Sequence, residues 1–147
     1  MAAEVVFVGH DPKPRRLGAV LNMIAGEAIT KGMVVGYSTT GIGWTVHPHV
    51  VGTTVFPLGV ALHSQATTGG KIAIASIGSI VKVQNGYDTA LEAGDQIMGS
   101  AAQVGTVLAY SSATGGEEPI GWMLEALPGT AVPAYAYIAG SVKLTKK

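Results

Sequence analysis

The sequence contains no cysteine. That removes disulfide frameworks, thiolate metal sites and thiol nucleophiles, and it accords with a reducing compartment. Charge is scarce as well. Only 12% of residues are Asp, Glu, Lys or Arg, against roughly 25% in an ordinary soluble domain. With 48% apolar residues, the composition is the reverse of a disordered chain, so disorder is excluded for the bulk of it. Nor is there a long apolar run. The best stretch, Val50 to Leu62, is broken by Gly52, Thr53, Thr54, Pro57 and Gly59, whereas a spanning helix needs about 20 consecutive apolar residues. The start, Met1-Ala2-Ala3-Glu4, lacks the basic-then-apolar layout of an export signal. No membrane partner is expected.

What is present is glycine, 21 residues in a chain of 147, with abundant Ala, Ser and Thr. The length suits one domain with its own core, or two small lobes sharing one. Net charge is zero, but the signs are segregated. From Lys13 to Lys82 there are six bases and one acid, Glu27; from Val83 to Val142 there are six acids and no base. Either these are solvated charges placed by chance, or opposite-sign surfaces steer one copy onto the next or onto another protein. On the second reading Lys71, Lys82, Glu117 and Glu118, together with Trp44, are the expected contacts between subunits. Between Lys31 and Lys71 no charged residue occurs. So long a stretch cannot be wholly buried, and a neutral surface suits contact with a partner, because interface cores are depleted of charge.

Residues 1–16 read as an extended N-terminal arm. Pro12 and Pro14 forbid a helix there, and Val5 to Val8 are too apolar for a tail that stays in water. The remainder, 17–147, reads as a single all-β domain of barrel or sandwich type. Leu17 to Ile24 is ambiguous between helix and strand, since Leu17, Val20, Leu21 and Ile24 have helical spacing while Gly18 and the β-branched residues oppose it. Strand is the expectation. Ile72-Ala73-Ile74-Ala75 alternates with period two, and Ile80 to Val83 is followed by the turn pair Asn85-Gly86. Turn signals every 8–12 residues or so set the rhythm of sandwiches and small barrels. Only Thr89 to Gly94 offers a helical turn.

The strongest organisational signal is an internal repeat. Ala25-Gly26-Glu27-Ala28-Ile29 reappears as Ala93-Gly94-Asp95-Gln96-Ile97, Pro57-Leu58-Gly59 as Pro119-Ile120-Gly121, and Gly78-Ser79 as Gly140-Ser141. The offsets are 68, 62 and 62. A duplicated β unit over about 25–83 and 93–144 is implied, its halves packing together because each alone exposes an apolar sheet face.

Residues able to do chemistry are few, and none is completed by neighbours. His47 and His49 are two apart on a strand and could share an ion, but no Asp, Glu or Cys lies nearby and Pro48 disrupts regular pairing. No serine sits in a Gly-x-Ser-x-Gly elbow, and Glu117-Glu118 after two glycines reads as an exposed turn. No phosphate loop occurs. Gly41-Ile42-Gly43-Trp44 reads as a hairpin tip, not a dinucleotide fingerprint. Lys13, Arg15 and Arg16 are too few for a nucleic-acid face. Trp44 and Trp122 could line a small-ligand or carbohydrate groove, or anchor a core or an interface. The expectation is a non-enzymatic protein without metal or cofactor.

One resemblance covers nearly the whole chain, Gly18 to Leu144. The succession AGEAITKGMVVGY, PLGVAL, GGKIAIASIGSIVKV, ALEAGDQIMGSA, PIGWMLEALPG and AYIAGSVKL resembles the capsid cement, or head decoration, proteins of tailed phages. In that family a Gly-Asp or Gly-Glu turn leads into a short strand, an Ile/Leu-Gly-Val-Ala strand and a glycine-led hairpin follow, and the set recurs. The resemblance implies a structural virion protein that binds the major capsid protein on the outside of an expanded head and strengthens it, after assembly in the host cytoplasm. It also implies a homotrimer with a terminal arm that orders on the shell, for which Val5, Phe7, Lys13, Arg15 and Arg16 are the matching candidates here. The Pro14-Arg15-Arg16 segment is not part of the family pattern. Another virion or tail structural protein is the alternative.

Overall fold

The computed structural model describes residues 5–6, 20–38, 44–50, 55–85, 90–100, 103–110, 119–127 and 133–139. Among them there are eleven strands and no helix. The strands are β1 (Val5–Val6), β2 (Val20–Ala25), β3 (Val34–Ser38), β4 (Thr45–Pro48), β5 (Val55–Ala61) and β6 (Lys71–Ser76). They continue as β7 (Ile80–Val83), β8 (Gln96–Gly99), β9 (Val107–Ala109), β10 (Gly121–Met123) and β11 (Ala134–Ile138). The fold is all-β, as the residue pattern implies.

Two bodies result. Strands β2-β4-β3-β5-β6 close into a barrel, and β1-β7-β11-β10-β8-β9 form a second sheet. Apart from β1, the second body repeats the first strand for strand: β7 stands for β2, β8 for β3, β9 for β4, β10 for β5 and β11 for β6. The registers agree residue by residue. Val34 opposite Val60 becomes Gln96 opposite Trp122, and Val60 opposite Ala75 becomes Trp122 opposite Tyr137, each residue 62 positions further on. Even the isolated bridge of Ile29 with Gln65 recurs, as Leu91 with Leu127. Strand β2 pairs β4 in parallel through Ile24–Thr45 and Ala25–Val46. In the second body one parallel bridge, Asn85 with Val107, joins the end of β7 to β9.

This duplication corrects one register drawn from the sequence. The partner of Gly94 is Gly32, not Gly26. Both have left-handed backbones, φ 93° and 88°, and their amides donate to Met123 O and Ala61 O at 2.8 and 2.9 Å. The offset is therefore 62 from Ile29 onward except between β4 and β9, where it is 61 (Val46 stands for Val107), and it is 60 between β2 and β7 (Leu21 stands for Val81). The repeated Ala-Gly-acid string is a coincidence of turn composition.

Three other expectations are revised. Asn85 does not open a hairpin turn: it is buried, bridges Val107, and donates from Nδ2 to Leu127 O at 3.4 Å. Leu91 to Asp95 is not helical; Leu91 bridges Leu127, and residues 92–95 form a tight turn closed by Asp95 N to Glu92 O at 3.2 Å. Pro48 does not interrupt pairing, because it ends β4 opposite Val35, where a missing amide hydrogen is tolerated. Val20 to Ala25 is strand. Within the arm, Val5 and Val6 pair with Val81 and Ile80 of the chain's own β7. Gly86, Thr89, Val142 and Leu144 lie outside the described residues.

Packing explains why the two bodies belong together. In β6 the large residues Ile72 and Ile74 point into the first barrel, with Met23, Ile29, Val35, Val46 and Ala61. The opposite side of β5 and β6 is apolar too. Val60 and Ala75 from that side, with Val34 and Leu62, join the second body's interior residues Val83, Leu91, Ile97, Met123 and Ala136 in one cluster. Full burial stabilises each large side chain by about 1.5–3 kcal/mol, so separating the bodies would forfeit the burial of Val60, Leu62 and their partners. Strands β5 and β6 approach closely because Gly59 faces the Ala75 carbonyl oxygen; Gly121 faces that of Tyr137 in the same way.

A methyl at either position would overlap that oxygen. Gly59→Ala and Gly121→Ala should therefore each destabilise the fold by about 1–3 kcal/mol. Gly69→Ala, with nothing nearby but φ at 87°, should lose only about 1–2 kcal/mol. Urea denaturation of the three variants tests the ranking.

Candidate functional site

Two exposed apolar surfaces stand out, one on each body. On the first, Leu21, Met23, Tyr37, Trp44 and Leu58 line a shallow groove that continues along Asn22, Ile24 and Lys71. Trp44 is its most prominent member, 69% exposed. It directly precedes β4 with φ at 72°, a left-handed conformation that costs a bulky residue roughly 1–2 kcal/mol. The backbone is held there by Ile24 N donating to Trp44 O at 2.8 Å, an extension of the β2–β4 ladder. A strained, solvent-facing tryptophan is poorly placed for stability and well placed for contact.

On the second body, Trp122 of β10 and Tyr137 of β11 are register partners and stack with ring centroids 6.3 Å apart at 20°. Beside them Lys82 holds its ammonium 5.1 Å from the Tyr135 ring centroid. Trp122 is 41% exposed and Leu124 48%. Alternation along β11 creates this face. Ala134, Ala136 and Ile138 are buried inward, which turns Tyr135 and Tyr137 outward.

The structure places Lys71 and Trp44 along one groove and sets Lys82 on the other body. Trp44 and Trp122 do not share a groove. Val5 lies in β1. Phe7, Lys13, Arg15, Arg16, Glu117 and Glu118 lie outside the described residues. Tyr135, Tyr137 and Leu124 were not singled out from the sequence. Comparing the repeats at the correct offset would have found them, because Ala73, Ala75 and Leu62 occupy the matching positions.

The histidines are structural where they are described. The His47 ring fills the space over Gly26, and His49 is buried. His63 accepts the Ala73 amide on Nε2 at 3.0 Å, so its Nδ1 carries the proton facing Ser64 O at 3.2 Å. Among the described residues no three His, Cys, Asp or Glu side chains come together as a metal site. No described helix is long and apolar enough to cross a membrane.

The geometry defines a protein of two repeated β bodies, a closed five-stranded barrel and a six-stranded sheet, with an exposed aromatic surface on each. No family model and no curated protein matches the sequence. Among solved structures the chain is similar to the head fiber gp8.5 N base of bacteriophage phi29. The TM-score is 0.58, with 12% identity over 85% of this chain and 98% of that one. At that identity the likeness is one of fold.

Trp44→Gly removes the exposed ring and suits the left-handed backbone. It should leave stability unchanged or raise it by up to about 1 kcal/mol, as read from the midpoint of chemical denaturation. A clear loss of stability would mean that Trp44 is a packing residue.

Proposed function

We propose that this chain is a structural protein of a tailed-phage head, docking on the outside of the expanded shell as a decoration protein and stabilising it without enzymatic activity. The observation that carries this reading is the fold likeness to a head-fibre base over almost the whole of that structure. The motif resemblance to decoration proteins points to the same location by an independent route. The sparse charge agrees with it. Shell-binding proteins occupy many equivalent sites through modest contacts and gain from multivalency, and a neutral, Gly- and Thr-rich surface can be covered without desolvating ions. The partner in this reading is the major capsid protein. Its contact residues include the N-terminal segment, with Lys13, Arg15 and Arg16.

A second reading has a specific observation in its favour. The structural neighbour is the base of a head fibre, and on this reading the chain would seat a projecting appendage at selected positions of the shell. The two readings differ in copy number.

Purified chain should co-sediment with expanded heads and not with unexpanded ones, at saturation covering every equivalent lattice position in particle images. Binding confined to a few positions would favour the fibre base. Failure to bind either form of the shell would overturn both.

A further inference from the structure

The two bodies pack against each other through surfaces whose counterparts are left open. In that junction Gln84, just past β7, donates from Nε2 to Lys31 O at 3.2 Å and packs on Gly32. Gly105 accepts from Val34 N at 2.7 Å and donates to His49 O at 2.9 Å. Val81 and Val83 of β7 share a cluster with Val60, Leu62 and Ala75 of the first body. The second body therefore presents β7 and the turn before β9, and the first presents the outer side of β5 and β6.

Moved back by one repeat, β7 becomes β2. Leu21 then stands for Val81, Met23 for Val83, Ile24 for Gln84 and Trp44 for Gly105, whose backbone is left-handed in the same way, φ 75° against 72°. These four residues line the exposed groove of the first body. Moved forward by one repeat, the outer side of β5 and β6 becomes that of β10 and β11. Trp122 stands for Val60, Leu124 for Leu62 and Tyr137 for Ala75, the exposed aromatic face of the second body. One open surface is the counterpart of the docking side of the internal junction, and the other is the counterpart of its receiving side.

We infer that a second copy of this chain seats its Trp44 groove on the Trp122–Tyr137 face of the first, extending the internal junction head to tail. The substitutions run in the direction that an intermolecular contact demands. Val60 and Ala75 give way to Trp122 and Tyr137, and Gln84 to Ile24. Joining separate molecules carries an entropy cost that a tethered junction avoids, and large aromatic anchors supply the surplus. Charge is complementary as well. Lys71 borders the groove, while Glu125, exposed on the second body, accepts from Tyr135 N at 2.8 Å beside the face, where Lys82 also lies against the Tyr135 ring. The contact is heterologous, so it closes into a ring or runs on as a filament according to the rotation between copies. The inference stands on the duplication and needs no shell.

Sedimentation of the full-length protein and two variants tests it. Wild type should sediment as an oligomer at tens of micromolar. Trp44→Asp and Trp122→Asp should each be monomeric alone, and an equimolar mixture should form a dimer and nothing larger, because one intact groove then meets one intact face. Circular dichroism checks that each variant is folded, and Ile24→Asp with Leu124→Asp serves as a second pair. A monomeric wild type, folded variants that keep the wild-type oligomer, or a mixture that stays monomeric would each overturn the inference. Loss of shell binding with this pattern intact would count only against the proposed function.

Discussion

The structure depends on one problem of surface. A five-stranded barrel whose inner residues are Ile, Val and Met still carries, on the outside of β5 and β6, a second apolar side made of Val60, Ala75 and their neighbours. Left in water, that side would forfeit about 25 cal/mol for each Å² of apolar area. The chain covers it with a copy of the same unit, and that copy's interior is continuous with the covered side. Most other features follow from that arrangement, including the close glycine approaches that keep β5 against β6 and β10 against β11.

Duplication also explains how so little charge is tolerated. Each body hides one outer side against the other or carries it as an aromatic surface, and the neutral stretch between Lys31 and Lys71 supplies three of the five barrel strands, β3, β4 and β5. The strands themselves are rich in Ala, Val and Gly. Chemistry is correspondingly thin. The described histidines are engaged in packing or backbone hydrogen bonds, and the two prominent aromatic groups have the form of contact surfaces rather than enclosed pockets.

The sequence made the local pattern legible and the long-range pattern only partly so. The Ile72-Ala73-Ile74-Ala75 alternation maps directly onto the inside and outside of β6, because period two is a property of the strand alone. The recurrence of Pro57-Leu58-Gly59 as Pro119-Ile120-Gly121 is equally plain. Two errors arose where a local string has more than one structural use. Gly26 and Gly32 both sit in turns between strands, and only the hydrogen bonds to Ala61 and Met123 reveal which one matches Gly94. Asn85-Gly86 has the composition of a tight hairpin, yet Asn85 is committed to a parallel bridge with a residue far along the chain. The repeat bounds already put Trp44 and Trp122 in different halves, and the topology adds that they lie on different surfaces.

The two copies are not closed with equal strength. The first barrel is sealed between β2 and β4 by a ladder, while the second meets across its seam at Asn85 and Val107, where Val107 N donates to Gln84 O at 2.9 Å. Among the described residues one bridge crosses that seam, and such a latch can lift while the rest of the sheet keeps its pairing, since local openings in folded proteins need far less free energy than global unfolding. The second half can therefore breathe along one line, and its sheet can flatten or widen slightly without unfolding. A body built this way can adjust its curvature to whatever it rests on, while its sealed twin holds its shape.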